Sequence, residues 1–403
     1  MKSTLRTILF WMHLVSGLVA GLIIGIMSLT GAALAFEPQL TQWADRDVRH
    51  VQAPAPTAAR LPVDELLARV RAARPGVQLS AVTVYADPAS AVRVSTGRTS
   101  GVYVDPYTGE VRDLGGAGLR ALLHTMEQWH RWLGTSEENR GVGRAITGAC
   151  NAAFLFLAVS GLYLWWPRKW TWRTVRPVLW FKGGLKGKAR DFNWHNSAGF
   201  WAMPVIVVLT ASGMVISYKA VSDLIFTLTG NEPPTNSGPS APAAVKVPEP
   251  PAGATPLGFD ALFAQAQRQI PAWESISLRM GASPRGPQPG AVAFSIKEQG
   301  GWPLFASAQL SLDPFTAEVL RRETFADYNS GRRIRTWLRF LHTGQALGWA
   351  GQLVAGLASL AGAFLMWTGF TLSWRRFFRR RSTEATAQQD PEQSPVISPV
   401  RES

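Results

Sequence analysis

Four stretches of this 403-residue chain contain no Asp, Glu, Lys or Arg: Thr7–Phe36, Ala145–Pro167, Phe192–Tyr218 and Phe340–Trp374. Each exceeds the roughly 20 apolar residues that cross a bilayer core. Charged residues make up only 17% of the chain, and these stretches account for the deficit. A soluble globular protein is thereby excluded, and an α-helical integral membrane protein with four transmembrane helices is expected. The first stretch follows Lys2 and Arg6 as a signal peptide would. It is too long for the usual h-region, and Ala33–Ala35 makes a weak cleavage site, so it reads as a retained helix.

The formal net charge is +14, from 41 Lys+Arg and 27 Asp+Glu. Lys2 and Arg6, the loop Arg168–Asp191 and the tail after Trp374 together hold +11 of it. Short loops rich in Lys and Arg stay in the cytoplasm. Both termini and that loop are therefore expected inside, and the two loops of about 100 residues outside, as periplasmic domains of a bacterial inner-membrane protein. The charge reads as an orientation signal in the lipid bilayer, and no nucleic-acid partner is expected. The expected division is transmembrane helices at 1–36, 141–167, 192–218 and 336–374. Between them lie a first external module with a membrane-proximal helix (37–140), the basic loop (168–191), a Pro-rich linker (219–256), a second module (257–335) and a cytoplasmic tail (375–403). The tail is polar from Ser382 onward and reads as disordered.

The chain repeats once. Val104-Asp105-Pro106-Tyr107-Thr108-Gly109-Glu110-Val111 matches Leu312-Asp313-Pro314-Phe315-Thr316-Ala317-Glu318-Val319 at an offset of 208. Ser160-Gly161 matches Thr368-Gly369 at the same offset, and Thr30-Gly31 matches Ser212-Gly213 at 182. Each half is a helix in to out, an external α+β module and a helix back. Val63–Val70 and Phe259–Gln267 read as amphipathic helices, followed by alternating strands and Asp-Pro turns. Ala317 stands where the first module has Gly109, which puts the second turn's geometry in question. Each module is too small for a large core and is expected to pack on the membrane helices.

Histidines carry the chemistry. His13 and His195 sit in spans one and three near the cytoplasmic ends, while His130 and His342 sit at the external starts of spans two and four. Ionisable groups in a span are expensive and mark functional sites; the plainer alternative is a neutral imidazole bonded to a neighbouring helix. Two histidines lack the further ligands a tetrahedral metal site needs, whereas haem needs only axial ligands. Two haem b groups are expected, one at each level, roughly 20 Å apart by helix rise. Gly17, Gly134 and Gly199 each follow a histidine by four residues and would leave room for a macrocycle, although such glycines also suit helix packing. His124 is the fallback ligand for His130, and His50 reads as solvated. Arg332, Arg333, Arg335 and Arg339 crowd the external entry to span four, to meet haem propionates, an anionic substrate or lipid headgroups. Trp165, Trp166, Trp170, Trp172, Trp180 and Trp194 read as an interfacial belt. The lone Cys150 excludes an intrachain disulfide and a C-x-x-C-H haem site, and reads as a packing residue.

Gly183-Gly184-Leu185-Lys186-Gly187-Lys188 has neither the dinucleotide nor the Walker spacing. A quinol or a separate cytoplasmic reductase is therefore the expected electron donor. His130-Arg131-Trp132-Leu133-Gly134, Gly143-Arg144 and Ser160-Gly161-Leu162-Tyr163-Leu164-Trp165-Trp166-Pro167-Arg168 resemble the PepSY-associated transmembrane-helix family. Tyr103–Val111 resembles its PepSY module. The resemblance implies two small PepSY-like periplasmic modules and axial ligation by His13 with His195 and by His130 with His342. It also implies reduction of a ferric siderophore to iron(II). A transporter of siderophore or metal would place its site at the midplane rather than near the faces, and a PepSY regulator of a periplasmic peptidase would need no intramembrane histidines.

Overall fold

A computed structural model describes residues 2–55, 58–97, 99–167, 169–234, 245–250, 253–280 and 290–378. The expected disordered tail lies outside them. In chain order the helices and strands are α1 (Lys2–Leu34), α2 (Glu37–Ala44), α3 (Arg46–Arg49), α4 (Val63–Ala73), β1 (Ala81–Tyr85), β2 (Val92–Ser95), β3 (Gly101–Val104), β4 (Val111–Asp113) and α5 (Ala117–Trp132). There follow α6 (Arg140–Trp165), α7 (Trp172–Leu179), α8 (Gly187–Ser217), α9 (Lys219–Leu228) and α10 (Phe259–Gln269). The chain continues with β5 (Trp273–Arg279), β6 (Val292–Glu298), β7 (Ala308–Leu312), β8 (Val319–Glu323), α11 (Ser330–His342) and α12 (Gly348–Phe377). Helices α1, α6, α8 and α12 are long and apolar enough to cross a membrane.

Two boundaries differ from those expected. The fourth span begins at Gly348, because Gly344 and Gly348 take left-handed φ angles of 73° and 64° and break the helix after His342. Residues 219–228, expected as linker, form the amphipathic helix α9, which packs on α11 where the bare Gly331 backbone admits Phe226. Residues 230–234 and 245–250 form no helix or strand.

The chain divides into two compact units. The first comprises Met1–Leu29, Ala149–Val207 and Leu357–Ser403. Its core contains Ala20, Ile24, Cys150 and Leu157, so the cysteine is a buried packing residue. The second comprises Thr30–Gly148 and Val208–Gly356, and its centre is one eight-stranded antiparallel sheet in the order β4-β3-β2-β1-β5-β6-β7-β8. The two expected modules are thus not separate bodies. β1 pairs with β5 along its whole length, from Ala81 opposite Arg279 to Tyr85 opposite Ser275. The cause is burial: alternation puts Val82, Val84, Ile276 and Leu278 on one face, where α4 and α10 cover them with Leu66, Leu67, Val70, Leu262, Phe263 and Ala266. One shared core replaces two that would each be too small.

The two helix starts are also joined. Asp260 accepts bonds from the amides of Val63 (2.6 Å) and Asp64 (3.3 Å), and Asp64 accepts one from the Asp260 amide (3.1 Å). Each carboxyl therefore lies at the other helix's N-terminus, which suits the helix dipole. Burial raises the Asp260 carboxyl above the usual range, and the hydrogen bond with Asp64 adds to this.

The Asp-Pro turns have equivalent geometry. Asp105 Oδ1 accepts from the amides of Tyr107 (2.8 Å) and Thr108 (3.2 Å), and Asp313 Oδ1 accepts from Phe315 (2.7 Å) and Thr316 (3.1 Å). Ala317 adopts the left-handed φ of 59° that Gly109 adopts at 72°. The bond network overrides the side chain's preference, which costs an alanine about 1–2 kcal/mol. Ala317→Gly is therefore expected to stabilise the protein by about 0.5 kcal/mol after the glycine's larger unfolded-state entropy. Gly109→Ala, whose Cβ would also meet Arg69, should destabilise by about 1–2 kcal/mol in chemical unfolding.

A raised folded-state pKa means that Asp260 adds stability at low pH, fully below about pH 4, and that this is lost as pH rises through the raised value. Asp260→Asn should therefore lose less stability than the parent between about pH 4 and neutrality. Thermal unfolding across that window measures the difference; equal slopes would show that Asp260 has no such role.

Candidate functional site

Four of the six histidines lie in or beside the long helices, two in each unit, and all four are half-buried. In the first unit His13 Nδ1 lies 2.8 Å from Ser160 Oγ on α6, and His195 Nδ1 lies 2.9 Å from Thr368 Oγ1 on α12. In the second, His130 Nδ1 lies 3.1 Å from Thr30 Oγ1 on α1, and His342 Nδ1 lies 3.2 Å from Ser212 Oγ on α8. Each imidazole is thus held through Nδ1 by a hydroxyl on another helix.

The hydroxyls also fix the tautomer. Thr368 Oγ1 donates to the Phe364 carbonyl at 2.9 Å, and Ser212 Oγ donates to the Val208 carbonyl at 2.6 Å. With those protons engaged, the hydroxyls accept from the rings. His342 Nδ1 also lies 2.9 Å from the Leu209 carbonyl, which can only accept. These rings therefore carry hydrogen on Nδ1 and a lone pair on Nε2, the form that binds a metal.

The rings are also paired. His130 and His342 have centroids 6.4 Å apart with planes at 55°. Two imidazoles bound to one metal through bonds of about 2 Å have centroids about 6 Å apart. In the first unit His13 lies within electrostatic reach of His195. Among the described residues no group of three or more His, Cys, Asp or Glu could hold a metal ion. The donor set thus fits a centre that brings its own remaining ligands. His124, the fallback, is exposed and bonds Gln128 at 3.1 Å, whereas His130 faces the partner ring. His50 is exposed, in a bridge with Ser90.

The glycine expectation needs correction at Gly134. It lies beyond the end of α5 with φ 69°, in a left-handed cap where its amide bonds the Gln128 carbonyl at 3.2 Å. It terminates the helix and lines no face. Gly17 and Gly199 meet Leu157 and Leu365. The glycines nearest the rings are others: a Cβ on Gly161 would lie 3.4 Å from His13 Cε1, and one on Gly369 3.7 Å from His195 Cε1. Both directly follow the hydroxyl residue that holds the ring. The Ser/Thr-Gly pairs at 30, 160, 212 and 368 were visible in the sequence as repeat markers, and their role as histidine partners was missed.

Two arrangements, the first buried, place the His130–His342 pair. α5 starts on Asp45, which accepts from the Gly115 amide at 2.9 Å and the Tyr103 hydroxyl at 3.2 Å, and pairs with Arg120. Burial, helped by the Asp45 charge, pushes the Tyr103 phenol up to about 12. α11 starts on Asn329, whose side chain accepts from the Arg332 amide at 2.8 Å, and is braced by Phe340 stacked on Phe305 at 4.3 Å.

Four apolar helices, with histidines held through Nδ1 by hydroxyls on other helices, define a membrane protein. The PepSY-associated TM region family matches residues 10–376, and the chain belongs to that family. No curated protein matches it.

Asp45→Ala would leave the largely buried Arg120 guanidinium without its carboxylate partner and should cost about 3 kcal/mol in denaturant unfolding. Tyr103→Phe, which removes a single bond to Asp45, should cost about 1 kcal/mol.

Proposed function

We propose that the protein is a dihaem b-type membrane oxidoreductase that passes electrons across a bacterial inner membrane and reduces siderophore-bound ferric iron to iron(II) outside. His13 and His195 would hold one haem, and His130 and His342 the other. The observation that carries this reading is the hydroxyl bonded to Nδ1 at each of the four rings, with the tautomer at His195 and His342 leaving the Nε2 lone pair for a metal. A haem supplies four equatorial nitrogens and an iron that changes oxidation state.

A haem held by two imidazoles would supply electron transfer rather than oxygen binding. The second-layer hydroxyls hold each ring's orientation, so a change of iron charge requires little movement of the protein. Gly161 and Gly369 keep the space beside His13 and His195 free of side chains. The +11 carried by the termini and the 168–191 loop supports cytoplasmic placement of both ends and an external position for the sheet unit, as two fused PepSY-like modules. Electrons would come from a quinol or a separate cytoplasmic reductase. Iron(II) is held far more weakly than iron(III) by hard oxygen chelators, so reduction releases it.

Protein purified from haem-replete cells should show a Soret band with two haems per chain, and His13→Ala and His342→Ala should each lose one. Thr368→Val and Ser160→Ala should weaken haem retention by about 10–100-fold. A ferrous trap with several ferric siderophores then tests the substrate. A colourless parent protein would overturn the haem assignment.

A further inference from the structure

The four arginines on α11 differ in what holds them. Arg332 pairs with Glu323 at 2.8 Å and covers the Tyr328 ring at 3.6 Å. Arg333 donates to the Ala326 carbonyl. Both are engaged by the segment just ahead of the helix. Arg335 is half-buried, and its one acceptor among the described residues is Ser222 Oγ on α9, at 2.7 Å from Nε. The nearby Asp223 is paired with Lys219. A guanidinium presents five N–H donors, and removing it from water is unfavourable without an anion. Burial pushes Arg335 down to about 10, and the charge of Arg339 acts in the same direction.

Spacing puts these groups together. Arg335, Arg339 and His342 are separated by four and three residues, so they line one face of α11. The helix carrying the other ring is different: Leu123 and Glu127 stand seven and three residues ahead of His130. Glu127 is itself paired with Arg131 at 2.8 Å. The positive face is therefore a property of the His342 side alone.

We propose that Arg335 and Arg339 form a carboxylate-binding site beside His342. The carboxylate is a propionate of the cofactor held by His342, or it belongs to an anionic chelate arriving from outside. The first source rests on the haem reading above; the second does not. A propionate there would be held by a charge-assisted pair, in which arginine can engage both oxygens.

The test uses the full-length protein in detergent, with redox titration of the Soret band and calorimetric titration of citrate as a free carboxylate probe. His342→Ala identifies the redox component of the outer centre. For a propionate, Arg335→Gln and Arg339→Gln lower the midpoint potential of that component alone, because losing a cation disfavours the reduced, more negative centre. Arg335→Lys keeps the potential near the parent's, and Arg333→Gln leaves it unchanged. For a free anion the potentials stay fixed, and both Gln variants weaken citrate binding about tenfold. Arg339 is exposed, so Arg339→Gln carries the test if Arg335→Gln fails to accumulate. Unchanged potentials together with unchanged or absent citrate binding overturn the proposal. A parent protein without haem sinks the haem reading, and the citrate titration alone then decides the arginine site.

Discussion

An imidazole packed among apolar helices has two nitrogens to satisfy, and at four rings here a hydroxyl on another helix bonds one of them. At His13, His130, His195 and His342 that nitrogen is Nδ1, held by Ser160, Thr30, Thr368 and Ser212. Much else in the chain follows from keeping those bonds. Each joins two helices, so the bond that fixes a ring also fixes a helix contact. A hydroxyl within a helix can satisfy itself on its own backbone, as Thr368 and Ser212 do, and still accept from a ring. That is why a Ser or Thr suffices where a carboxylate would bring a costly buried charge.

The pair in the second unit, His130 and His342, is tied to the sheet. His130 and His342 end short amphipathic helices, α5 and α11, which stop before the spans begin. Their positions come from below the helix starts: Asp45 gathers Gly115, Arg120 and Tyr103, and Asn329 caps α11. Tyr103 belongs to β3 and Glu323, which pairs with Arg332, to β8, so both helices are tied to one sheet. Because β1 and β5 pair directly, that sheet is continuous from one tie to the other. Backbone pairing and largely buried ion pairs thereby tie α5 and α11 to one frame, in which the two rings lie 6.4 Å apart.

What was legible in the sequence was whatever follows from charge and local pattern. The absence of charge located the four long helices, alternation located strands β2, β3, β6 and β7, and the histidine offsets paired the rings that the structure pairs at 130 and 342. Three things were not legible. The β1–β5 pairing is a contact between residues almost 200 positions apart, and nothing in either strand's pattern names its partner. The break after His342 depends on Gly344 and Gly348 taking left-handed angles, whereas the absence of charge made the helix look continuous from 336. Gly134 failed for the related reason that i,i+4 spacing means a shared face only while the helix lasts, and α5 ends at Trp132.

The two halves of the chain differ most where charge approaches a ring. Asp191 lies one turn before His195 and is fully buried, paired with Arg375 at 2.9 Å and Arg190 at 2.8 Å. Arg375 lies seven residues beyond Thr368, on the same face of α12. The sequence offsets put Leu9 and Pro167 at the corresponding places beside His13 and Ser160, and neither can form such a pair. A buried ion pair gains little net stability over apolar packing, because desolvating both charges offsets their attraction. What it provides is a fixed register: α8 and α12 cannot slide without separating Asp191 from Arg375, which breaks a pair whose loss costs far more than its presence gains. The His195–Thr368 bond joins those same two helices one and two turns away. The ion pair thus locks the contact on which that ring's orientation depends, whereas His13 and Ser160 are braced by Arg6 donating to the Leu164 carbonyl at 2.5 Å, a bond to backbone that tolerates small shifts.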